Sequence, residues 1–518
     1  MMSTLTLPDP LVIATAHFVA QRCEAYLVGG RVRDWLLGRE TADTDLAVPE
    51  GALDHARAIA RAGGGAFVML DAQRDVGRVV WPDSGPPQVC LDIARFTGPG
   101  ILEDLARRDF TIDALALPLA SALPPRPPNA DERAELRRRM LDPTGGLVDL
   151  DEGRIRMSGP GVFDEDPLRL LRAARLAAEL GFTIVPATAA AIRAGAARIR
   201  LAAGERVRDE LLRIIAAAGA ARQMRQLDAL DLLGHLLPEV PAGRGVQQGP
   251  PHDRDVFDHT LGVLAGIERV QALLAGDGGG AVDADTPLVV PAAWDAILAD
   301  RRERLLAHFA EPPPSGVHGP AVWQRVAALL HDIGKPPTRF FDADQRRNRF
   351  PGHDQVGAAM VGGIADRLRL SRGAHDYLGT VVRHHMRPLN LMLGGDVSDR
   401  AVYRYFAATG PAGVDIAVLA LADNAAKGSR GDAETTALAQ VVDRLFDAWF
   451  DEHPRVVAPP PLVGGHDLMR ALGLPPGPEV GRLLAAIREA QAAGDVSDVA
   501  GALALATSIV DRPLPEAV

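Results

Sequence analysis

The chain has 518 residues, so the usual domain size of roughly 100–200 residues predicts two to four domains rather than one. No apolar run approaches the ~20 residues of a membrane span, and the sequence therefore predicts no segment that crosses a bilayer. The formal net charge of -11 argues against a surface coated with phosphate-binding residues, but a local basic patch on an acidic protein stays compatible with RNA binding.

Cysteine and lysine are both rare in this chain. Cys23 and Cys90 are the only cysteines, and the N-terminus lacks the pattern of a secretory signal, so we expect a cytoplasmic protein without structural disulfides. Lys335 and Lys427 are the only lysines. Because Ala and Gly are abundant as well, we attribute this preference for arginine to genomic base composition rather than to function.

The pattern of elements changes along the chain. From Tyr26 to about Leu119, short runs rich in Val, Ile and Phe (YLVGG, DTDLAV, AFVML, RVVW, QVCLDIARF) alternate with helical runs and predict an α/β or α+β domain. Residues 121–140 are Pro-rich and then Arg/Glu-rich, which is typical of an insertion or a mobile loop. From Asp164 onward apolar residues recur at three- and four-residue spacing, so we expect the rest to be mostly α-helical, with further loose insertions within 272–320.

The first informative segment is YLVGGRVRDWLLGRETADTDLAV. Gly29 and Gly30 end a strand there, and Asp43 and Asp45 occupy the next strand with the two-residue spacing that puts both carboxylates on one side. Nucleotidyl transfer needs Mg²⁺ held by a few carboxylates and the substrate phosphates. A glycine pair lets the backbone approach phosphate, and Arg33 can neutralise charge that develops during transfer.

The whole string GG-x-VRD-x-LLG followed by D-x-D resembles the signature of the tRNA nucleotidyltransferase and bacterial poly(A) polymerase family. Four more blocks resemble family motifs in the family's order: RRDFTIDALAL, DPTGGLVDLDEGRIR, EDPLRLLRAARLAAELGF and GERVRDEL. The resemblance implies a head domain with the DNA polymerase β-type nucleotidyltransferase fold. Asp113 departs from the pattern, because the family usually has Asn there, and this puts the sugar contacts of that position in doubt.

The resemblance also implies roles for individual residues. Asp166 and Arg169 are three residues apart, so we expect them on one helical face, where an acceptor and a donor could hydrogen-bond the base of C or A in place of a template. In isolation the same spacing describes an ordinary surface ion pair. Asp92, on the strand QVCLDIARF, is either a third metal ligand or a plain strand-end aspartate. The implied nucleotide-binding residues are Gly29, Gly30, Arg33, Asp34, Arg108, Asp166, Arg169 and Arg172.

A second constellation lies downstream, in VFDHTLGVL, LLHDIGKP, PGHDQVGA, VVRHHM and LALADNAAK. Its order of ligand-type residues resembles the HD superfamily of metal-dependent phosphohydrolases. By that resemblance a first metal is bound by His259, His331, Asp332 and Asp423, and His353, His384 and His385 support a second metal or contact phosphate. Mixed imidazole and carboxylate ligands suit Mn²⁺, Ni²⁺, Fe²⁺ or Zn²⁺. Lys335 could steady the phosphate, and a purely structural HD domain stays the alternative.

Together these patterns predict a multidomain α+β protein. We expect a nucleotidyltransferase head over 1–145, a helical neck that binds nucleotide and RNA over 146–240, an HD domain over 241–450 and a helical tail over 451–518. The implied activity is addition of C, C and A to the tRNA 3′ end from CTP and ATP, with catalytic Asp43 and Asp45, plus hydrolysis at the HD site. The alternatives are a restricted CC- or A-adding enzyme, a poly(A) polymerase, or an HD phosphohydrolase with an RNA-binding head.

Overall fold

The computed structural model describes residues 19, 21–40, 43–81, 89–119, 128–250, 252–276, 292–311, 319–395, 397–428 and 432–511. These residues form two compact units. The first comprises 1–202 with 230–232, and the second comprises 203–229 with 233–518. Both fit the predicted class, because the first unit mixes strands with helices and the second is almost wholly helical.

Every strand that the sequence predicted in the first unit is present. The strands are β1 (Tyr26–Val28), β2 (Asp43–Val48), β3 (Ala66–Asp71), β4 (Val76–Trp81), β5 (Val89–Arg95), β6 (Ala116–Pro118), β7 (Arg154–Ile155) and β8 (Thr183–Ile184). The first six form one sheet in the order β3-β4-β5-β2-β1-β6, and β7 pairs with β8. Within the larger sheet only β2 and β5 run parallel, since the other neighbours pair antiparallel.

Helices cover this sheet and continue beyond it. They are α1 (Gly30–Leu36), α2 (Ala52–Gly63), α3 (Ile101–Ala106), α4 (Ala130–Arg139), α5 (Gly146–Asp151), α6 (Val162–Glu165), α7 (Leu168–Leu180) and α8 (Pro186–Gly195). One apolar cluster joins Leu46, Leu91 and Ile93 of the sheet to Trp35 of α1 and Ile59 of α2. A second cluster packs Leu105 of α3 against the opposite side of β1 and β2.

The stretch predicted as an insertion or loop is partly a helix. Residues 120–127 lie outside the described residues, but α4 occupies most of the remainder. The Asn129 side chain accepts a hydrogen bond from the Glu132 backbone N–H, and the Glu132 carboxylate accepts one from the Asn129 backbone N–H, which forms a capping box. This local capping, rather than a regular apolar face, starts the helix in a stretch whose composition predicted a loop.

The second unit consists of a helical body and a helical tail. Its helices are α9 (Gly204–Ala216), α10 (Ala220–Ala229), α11 (Leu233–Leu236), α12 (Val256–Ala275), α13 (Ala292–Asp300), α14 (Arg302–Ala310), α15 (Pro320–Leu330), α16 (His353–Arg367), α17 (Arg372–His384), α18 (Arg387–Gly394), α19 (Asp399–Thr409), α20 (Ala412–Ala425), α21 (Asp432–Phe450), α22 (Gly465–Leu472), α23 (Pro478–Ala492) and α24 (Val499–Val510). A short antiparallel hairpin, β9 (Phe340–Asp342) with β10 (Arg347–Arg349), interrupts the helices. The tail helices α22 to α24 share their own apolar cluster, in which Val480, Leu483 and Ile487 line the buried face of α23.

No single helix within the described residues has the length and apolar composition needed to cross a membrane. One bent pair, Asp399–Thr409 with Ala412–Ala425, meets that test by length and composition alone.

Candidate functional site

The acidic residues of the first unit lie on adjacent parallel strands. Asp45 of β2 is in register with Asp92 of β5, and Asp43 precedes Asp45 by two residues on the same strand. The Asp43 side chain lies outside the described residues. Asp92 accepts two hydrogen bonds from Arg78, at 2.7 and 2.8 Å. The fold therefore brings Asp92 beside Asp45, as a third carboxylate of a metal site would require, with Arg78 holding both of its oxygens.

The backbone of Gly29 approaches Asp45 closely. Gly29 has φ +72, and a Cβ placed on it would lie 2.9 Å from Asp45 Oδ2 and 3.3 Å from Arg108 Nη1. A side chain at this position would meet strain and a clash together, so the turn between β1 and α1 requires glycine. Gly30 begins α1 and, unlike Gly29, has no positive φ. The segment thus holds Asp45, Arg108 and the buried Gly29 backbone near one another.

Arg33 is buried in a chain of ion pairs. Its Nη1 donates to Asp113 Oδ1 at 2.6 Å, and its Nε donates to Asp34 Oδ1 at 2.9 Å. Arg172 lies on the other side of Asp113, with Nε 2.8 Å from Asp109 and Nη2 3.9 Å from Asp113. Burial disfavours the charge on Arg33, but Asp113 and then Asp34 outweigh that effect and raise the pKa of the guanidinium. Burial raises the pKa of Asp34, although Arg33 opposes the shift.

Three predicted nucleotide-binding residues line one cavity of about 800 Å³ in the first unit. They are Arg108, Asp166 and Arg169. The lining also includes other charged side chains, among them Arg74, Arg95, Arg107, Asp104 and Glu165. Arginines outnumber acids in this lining, so the cavity fits a polyanionic ligand such as a nucleoside triphosphate.

The prediction that Asp166 and Arg169 share a helical face is wrong for Asp166. Helix α7 begins at Leu168, and Asp166 has extended backbone at φ -145 and ψ 107. The reason is Pro167, because a residue that precedes proline is sterically driven out of the helical region. The Asp166 carboxylate accepts a hydrogen bond from the Leu168 backbone at 3.0 Å, and Arg169 Nη1 donates to Glu165 at 3.0 Å. The two side chains still line the same cavity.

Six predicted residues converge in the second unit as two groups that could hold metal ions. One group contains His259, His331 and Asp423, and the other contains Asp332, His353 and His385. Within each group the ligand atoms lie within 4.8 Å of one another. The residues come from α12, the end of α15, α16, the end of α17 and α20, so only the folded chain assembles them.

Asp332 faces both groups with different oxygens. Its Oδ1 lies 3.6 Å from Nε2 of both His353 and His385, whose Nε2 atoms are 3.3 Å apart. Its Oδ2 lies 3.1 Å from His331 Nε2 and 3.7 Å from His259 Nε2. Ligand atoms about 2.1 Å from one ion are separated by roughly 3–3.5 Å, so these spacings fit coordination. Asp332 Oδ1 is buried without a hydrogen-bond partner among the described residues, as expected of an oxygen that binds a cation.

Backbone carbonyls fix the orientation of the imidazoles. Nδ1 lies 2.8 Å from the Ala328 carbonyl in His331, 2.9 Å from that of Phe350 in His353, and 2.7 Å from that of Val382 in His385. Each ring therefore donates from Nδ1 and turns the Nε2 lone pair inward, which is the tautomer a metal needs. Gly334 permits this packing, because a Cβ there would lie 2.0 Å from the His353 carbonyl oxygen.

His384 lies outside both groups, although the sequence placed it with His385. Both residues lie at the end of α17, where a rotation of about 100° per residue turns neighbouring side chains apart. His385 is buried, whereas His384 is half-buried. Burial lowers the pKa of His384, and Arg387 and Arg383 lower it further.

The sequence analysis gave no role to His252, Gln248 or Lys427 at this centre, whereas it predicted that Lys335 steadies the phosphate. His252 packs against His259 with ring centroids 5.0 Å apart, and burial lowers the pKa of His252 to about 3. Lys335 Nζ lies 2.6 Å from Asp332 Oδ2 and 2.7 Å from Gln248 Oε1, and Lys427 donates to Asp423.

The only two lysines of the chain therefore both lie at this centre, ion-paired with residues of the two groups. Burial opposes the charges of both carboxylates. Nevertheless, His331 and Lys335 hold the pKa of Asp332 well below its usual range, and Lys427 does the same for the pKa of Asp423. Both lysines thus place a compact ammonium group against a carboxylate of the centre.

Family models match three segments of the chain. Residues 25–97 match the poly A polymerase head domain, residues 181–242 match the probable RNA and SrmB-binding site of polymerase A, and residues 317–445 match the HD domain. The first segment contains β1 to β5, and the third contains five of the six residues of the two groups above.

Relatives match nearly the whole chain. The A-adding tRNA nucleotidyltransferase of Deinococcus radiodurans is 36% identical over 479 residues, which cover 91% of this chain and 92% of that protein. The CC-adding tRNA nucleotidyltransferase of Thermus thermophilus is 32% identical over 480 residues, with 91% of both chains covered. The multifunctional CCA protein of Halorhodospira halophila is 29% identical over 387 residues, covering 70% of this chain and 74% of that protein.

Solved structures share the fold at lower identity. A CCA-adding enzyme solved with CTP has a TM-score of 0.59 at 18% identity, covering 99% of this chain and 100% of that one. The Thermotoga maritima CCA-adding enzyme complexed with tRNA has a TM-score of 0.55 at 20% identity, covering 97% of this chain and 94% of that one.

Proposed function

This chain belongs to the tRNA nucleotidyltransferase family, and we propose that it adds C, C and A to the 3′ end of tRNA without a template. In this reaction the 3′ hydroxyl oxygen of the tRNA forms a bond to the α-phosphorus of CTP or ATP. The bond from the α-phosphorus to the bridging oxygen breaks, pyrophosphate leaves, and the hydroxyl proton passes to solvent. The proposed division of the chain is a head over 1–145, a neck over 146–240, an HD domain over 241–450 and a tail over 451–518.

The observation that carries this proposal is the position of Asp45 against the Gly29 turn and beside Arg108. Asp43 and Asp45 are the proposed catalytic residues, and carboxylate oxygens are the ligands that Mg²⁺ prefers. Mg²⁺ would supply charge neutralisation for the attacking and leaving oxygens when bound. Asp92 is the proposed third carboxylate, available when Arg78 exchanges its partner for substrate phosphate.

Base selection is proposed for the cavity of the first unit. Arg108 and its neighbouring arginines hold the triphosphate, and Asp166 and Arg169 offer an acceptor and a donor to the base edge. Arg33, Asp34 and Asp113 form a buried chain of ion pairs, which the half-exposed Arg172 joins at Asp113. The match of residues 181–242 to an RNA-binding segment supports contacts to the tRNA there, through backbone and shape rather than base sequence.

A restricted polymerase is the second candidate, and the names of the full-length relatives favour it. The Deinococcus relative is A-adding and the Thermus relative is CC-adding, and both are more similar to this chain than the Halorhodospira multifunctional protein is. The proposed difference between these activities depends on the register and motion of the primer end at the nucleotide site.

The HD centre is proposed to hydrolyse a phosphoester. His259, His331, Asp332 and Asp423 would hold one divalent ion, and Asp332, His353 and His385 a second, for which Mn²⁺, Ni²⁺, Fe²⁺ or Zn²⁺ suits the mixed ligands. The bound ions would activate water and polarise the phosphoryl group. Water oxygen bonds to phosphorus, one bond from phosphorus to a ribose oxygen breaks, and that oxygen takes a proton. A 2′,3′-cyclic phosphate or a 2′-phosphate at a damaged RNA end fits a partner activity that rebuilds tRNA ends.

The deciding experiment incubates purified protein and Mg²⁺ with tRNAs that end before CCA, after CC, or after complete CCA. Labelled CTP, ATP or both are supplied, and a variant with Asp43→Ala and Asp45→Ala serves as the control. Ordered addition of C, C and A that then stops, and that the variant lacks, supports the first proposal. Addition of A alone or C alone establishes the restricted enzyme. Absence of incorporation on every tRNA rejects the polymerase and leaves an HD phosphohydrolase with an RNA-binding head.

A further inference from the structure

The hairpin β9–β10 forms one wall of the cavity that contains the HD centre. This cavity has a volume of about 680 Å³. At one end it is lined by Asp332, His353, His385 and Asp423, and at the other by Phe340, Asp342, Arg347 and Arg349 of the hairpin. The hairpin starts five residues after Lys335, so it is tied directly to the metal-binding loop.

The register of the hairpin sorts its side chains by face. Phe340 pairs with Arg349 and Asp342 pairs with Arg347, whereas Phe341 pairs with Asn348 between them. Residues opposite one another in an antiparallel pair share a face, and successive residues alternate. Phe340, Asp342, Arg347 and Arg349 therefore share one face, and all four line the cavity. Of the pair on the other face, Asn348 also reaches the lining and Phe341 does not.

The cavity face combines an aromatic ring with cationic groups. Phe340 is 59% exposed, and Arg347 and Arg349 are exposed beside it. Arg349 Nε lies 2.7 Å from Asp342 Oδ2, so Asp342 offsets one of the two arginines. The remaining positive charge of this face and the aromatic surface match the two parts of a nucleotide, the phosphate and the base.

The hairpin is anchored rather than merely tethered at its ends. Asn348 Nδ2 donates to the Gln247 carbonyl at 2.6 Å, and Arg339 Nε donates to Asn348 Oδ1 at 3.2 Å. The neighbouring Gln248 accepts from Lys335, which itself contacts Asp332. The aromatic face is therefore held at a fixed distance from the metal-binding side chains, as selection of a substrate by its base requires.

We propose that Phe340 is a stacking platform for the nucleobase of the HD-site substrate and that Arg347 and Arg349 bind its adjoining phosphate. The substrate is then a nucleoside phosphoester, free or at the end of an RNA, and not a small phosphate ester without a base. This inference rests on the proposed hydrolase for its catalytic consequence, but the binding surface stands independently of hydrolysis.

Phe340 and Phe341 provide a matched pair for the test, because both are 59% exposed and only Phe340 lines the cavity. Full-length protein with Mn²⁺ is assayed on adenosine 2′-phosphate, on a short RNA with the same terminal nucleotide, and on glycerol 2-phosphate. We expect Phe340→Ala to lower kcat/KM for the nucleotide about tenfold, mainly through KM, and to leave glycerol 2-phosphate unchanged. Phe341→Ala should change neither. A larger effect on the RNA than on the free nucleotide identifies an RNA end as the preferred source.

Two kinetic outcomes overturn the proposal. Equal effects of the two Phe variants mean that the face of the hairpin is irrelevant, and an equal loss on glycerol 2-phosphate means that Phe340 only supports the metal centre. If the native protein hydrolyses none of these substrates, the hydrolase proposal fails. The role of Phe340 in binding the nucleobase is then tested separately, by a binding measurement. Fluorescence of a 2-aminopurine riboside 2′-phosphate is then titrated without divalent ions. Weaker binding by Phe340→Ala than by Phe341→Ala sustains the platform, and equal binding rejects it.

Discussion

Arg33 Nη1 donates to Asp113 Oδ1 at 2.6 Å, and both side chains are almost fully buried. Asp113 stands where the resemblance leads one to expect Asn, so this pair places an extra negative charge behind the proposed nucleotide site. Arg172 Nη2 lies 3.9 Å from the other oxygen of the same carboxylate. We therefore expect Asp113 to compete with a triphosphate for Arg33 and Arg172, two of the proposed nucleotide-binding arginines.

Replacing Asp113 with Asn should strengthen nucleotide binding. The amide keeps an acceptor for Arg33 but removes the charge, and a charge at a partly screened site is worth about 1 kcal/mol. We expect the KM for ATP or CTP to fall about threefold to tenfold in steady-state tRNA extension. Asp113→Ala, which removes the acceptor as well, should lose stability instead, because Arg33 then keeps only Asp34. An unchanged or higher KM in Asp113→Asn would contradict the competition.

Gly29→Ala should damage nucleotide addition while leaving the HD centre intact. The new Cβ would sit 2.9 Å from Asp45 Oδ2 on a backbone with φ +72, which costs about 1–2 kcal/mol of strain before the clash. Displacing the carboxylate should lower kcat for extension by about a hundredfold, since small misplacements at reacting groups have effects of this order. Gly159→Ala is the control, because Gly159 has no positive φ and a Cβ there would meet no neighbouring atom within 4 Å. Comparable losses in both variants would refute the specific role of the Gly29 turn.

The sequence predicted the elements of both sites better than their side-chain geometry. Local patterns suffice for β2 and β5, because Asp-x-Asp and Asp92 lie in runs whose composition is that of strands. The register that pairs Asp45 with Asp92 depends on non-local hydrogen bonding. The spacing predicted that Asp166 lies on the helix with Arg169, but Pro167 keeps Asp166 out of the helix, and the spacing argument did not take this proline into account.

At the HD centre, the sequence could not predict which side chains come together, because they lie on segments that are far apart along the chain. His384 and His385 are indistinguishable as letters, and only the rotation of α17 at its end decides which ring turns inward. His252 and Gln248 lie in the Gly- and Pro-rich segment PAGRGVQQGPPHDRD, where no ligand was predicted, yet both line the cavity with Lys335 and His252 packs against His259. The sequence analysis explained the scarcity of lysine by base composition and gave a role to Lys335 alone, so the shared location of Lys335 and Lys427 becomes visible only in the folded chain.

His384 and His385 therefore form a matched pair for a metal-binding prediction. We expect His385→Ala to lower the affinity for Mn²⁺ or Ni²⁺ at least tenfold and His384→Ala to change it little, because only His385 faces Asp332. Titration calorimetry of the metal-stripped full chain measures the affinity. Thermal denaturation gives a second readout, since an ion that binds only the folded state raises Tm. Equal losses in the two variants would show that the ligand group is assigned incorrectly.

Lysine-to-arginine changes should be disruptive at this centre although arginine serves nearly everywhere else. Lys427 is buried and donates to Asp423, and a guanidinium is larger and planar where the site holds a compact ammonium. We expect Lys427→Arg to lower metal affinity and hydrolysis roughly tenfold to a hundredfold, the usual range for partners of metal ligands. The exposed Arg193→Lys, in the other unit, should leave both unchanged. Full activity of Lys427→Arg would show that the site does not need a lysine at this position.

Glu489 should make the stability of the second unit depend on acid. It accepts hydrogen bonds from Arg404 at 2.6 Å and Arg400 at 2.9 Å, which join α19 to the tail helix α23. These bonds, that of Arg404 first, lower the pKa of Glu489 below its ordinary value of 4.5 in the folded protein. A depressed carboxyl pKa stabilises the folded state above the unfolded pKa, and the stabilisation disappears as the pH falls through the folded pKa.

Urea unfolding of Glu489→Gln beside the native chain tests this linkage. At pH 7 the variant should be about 1 kcal/mol less stable, a modest value because the network is partly exposed. The difference in stability should narrow as the pH falls below about 4.5, because Glu489 of the unfolded chain then starts to take up a proton while Glu489 of the folded chain is still charged. Glu479→Gln on the same helix is the control, since its single pair with Arg482 is half exposed and should contribute little at any pH. A difference that stays constant from pH 7 to pH 3.5 would assign the effect to packing rather than to charge.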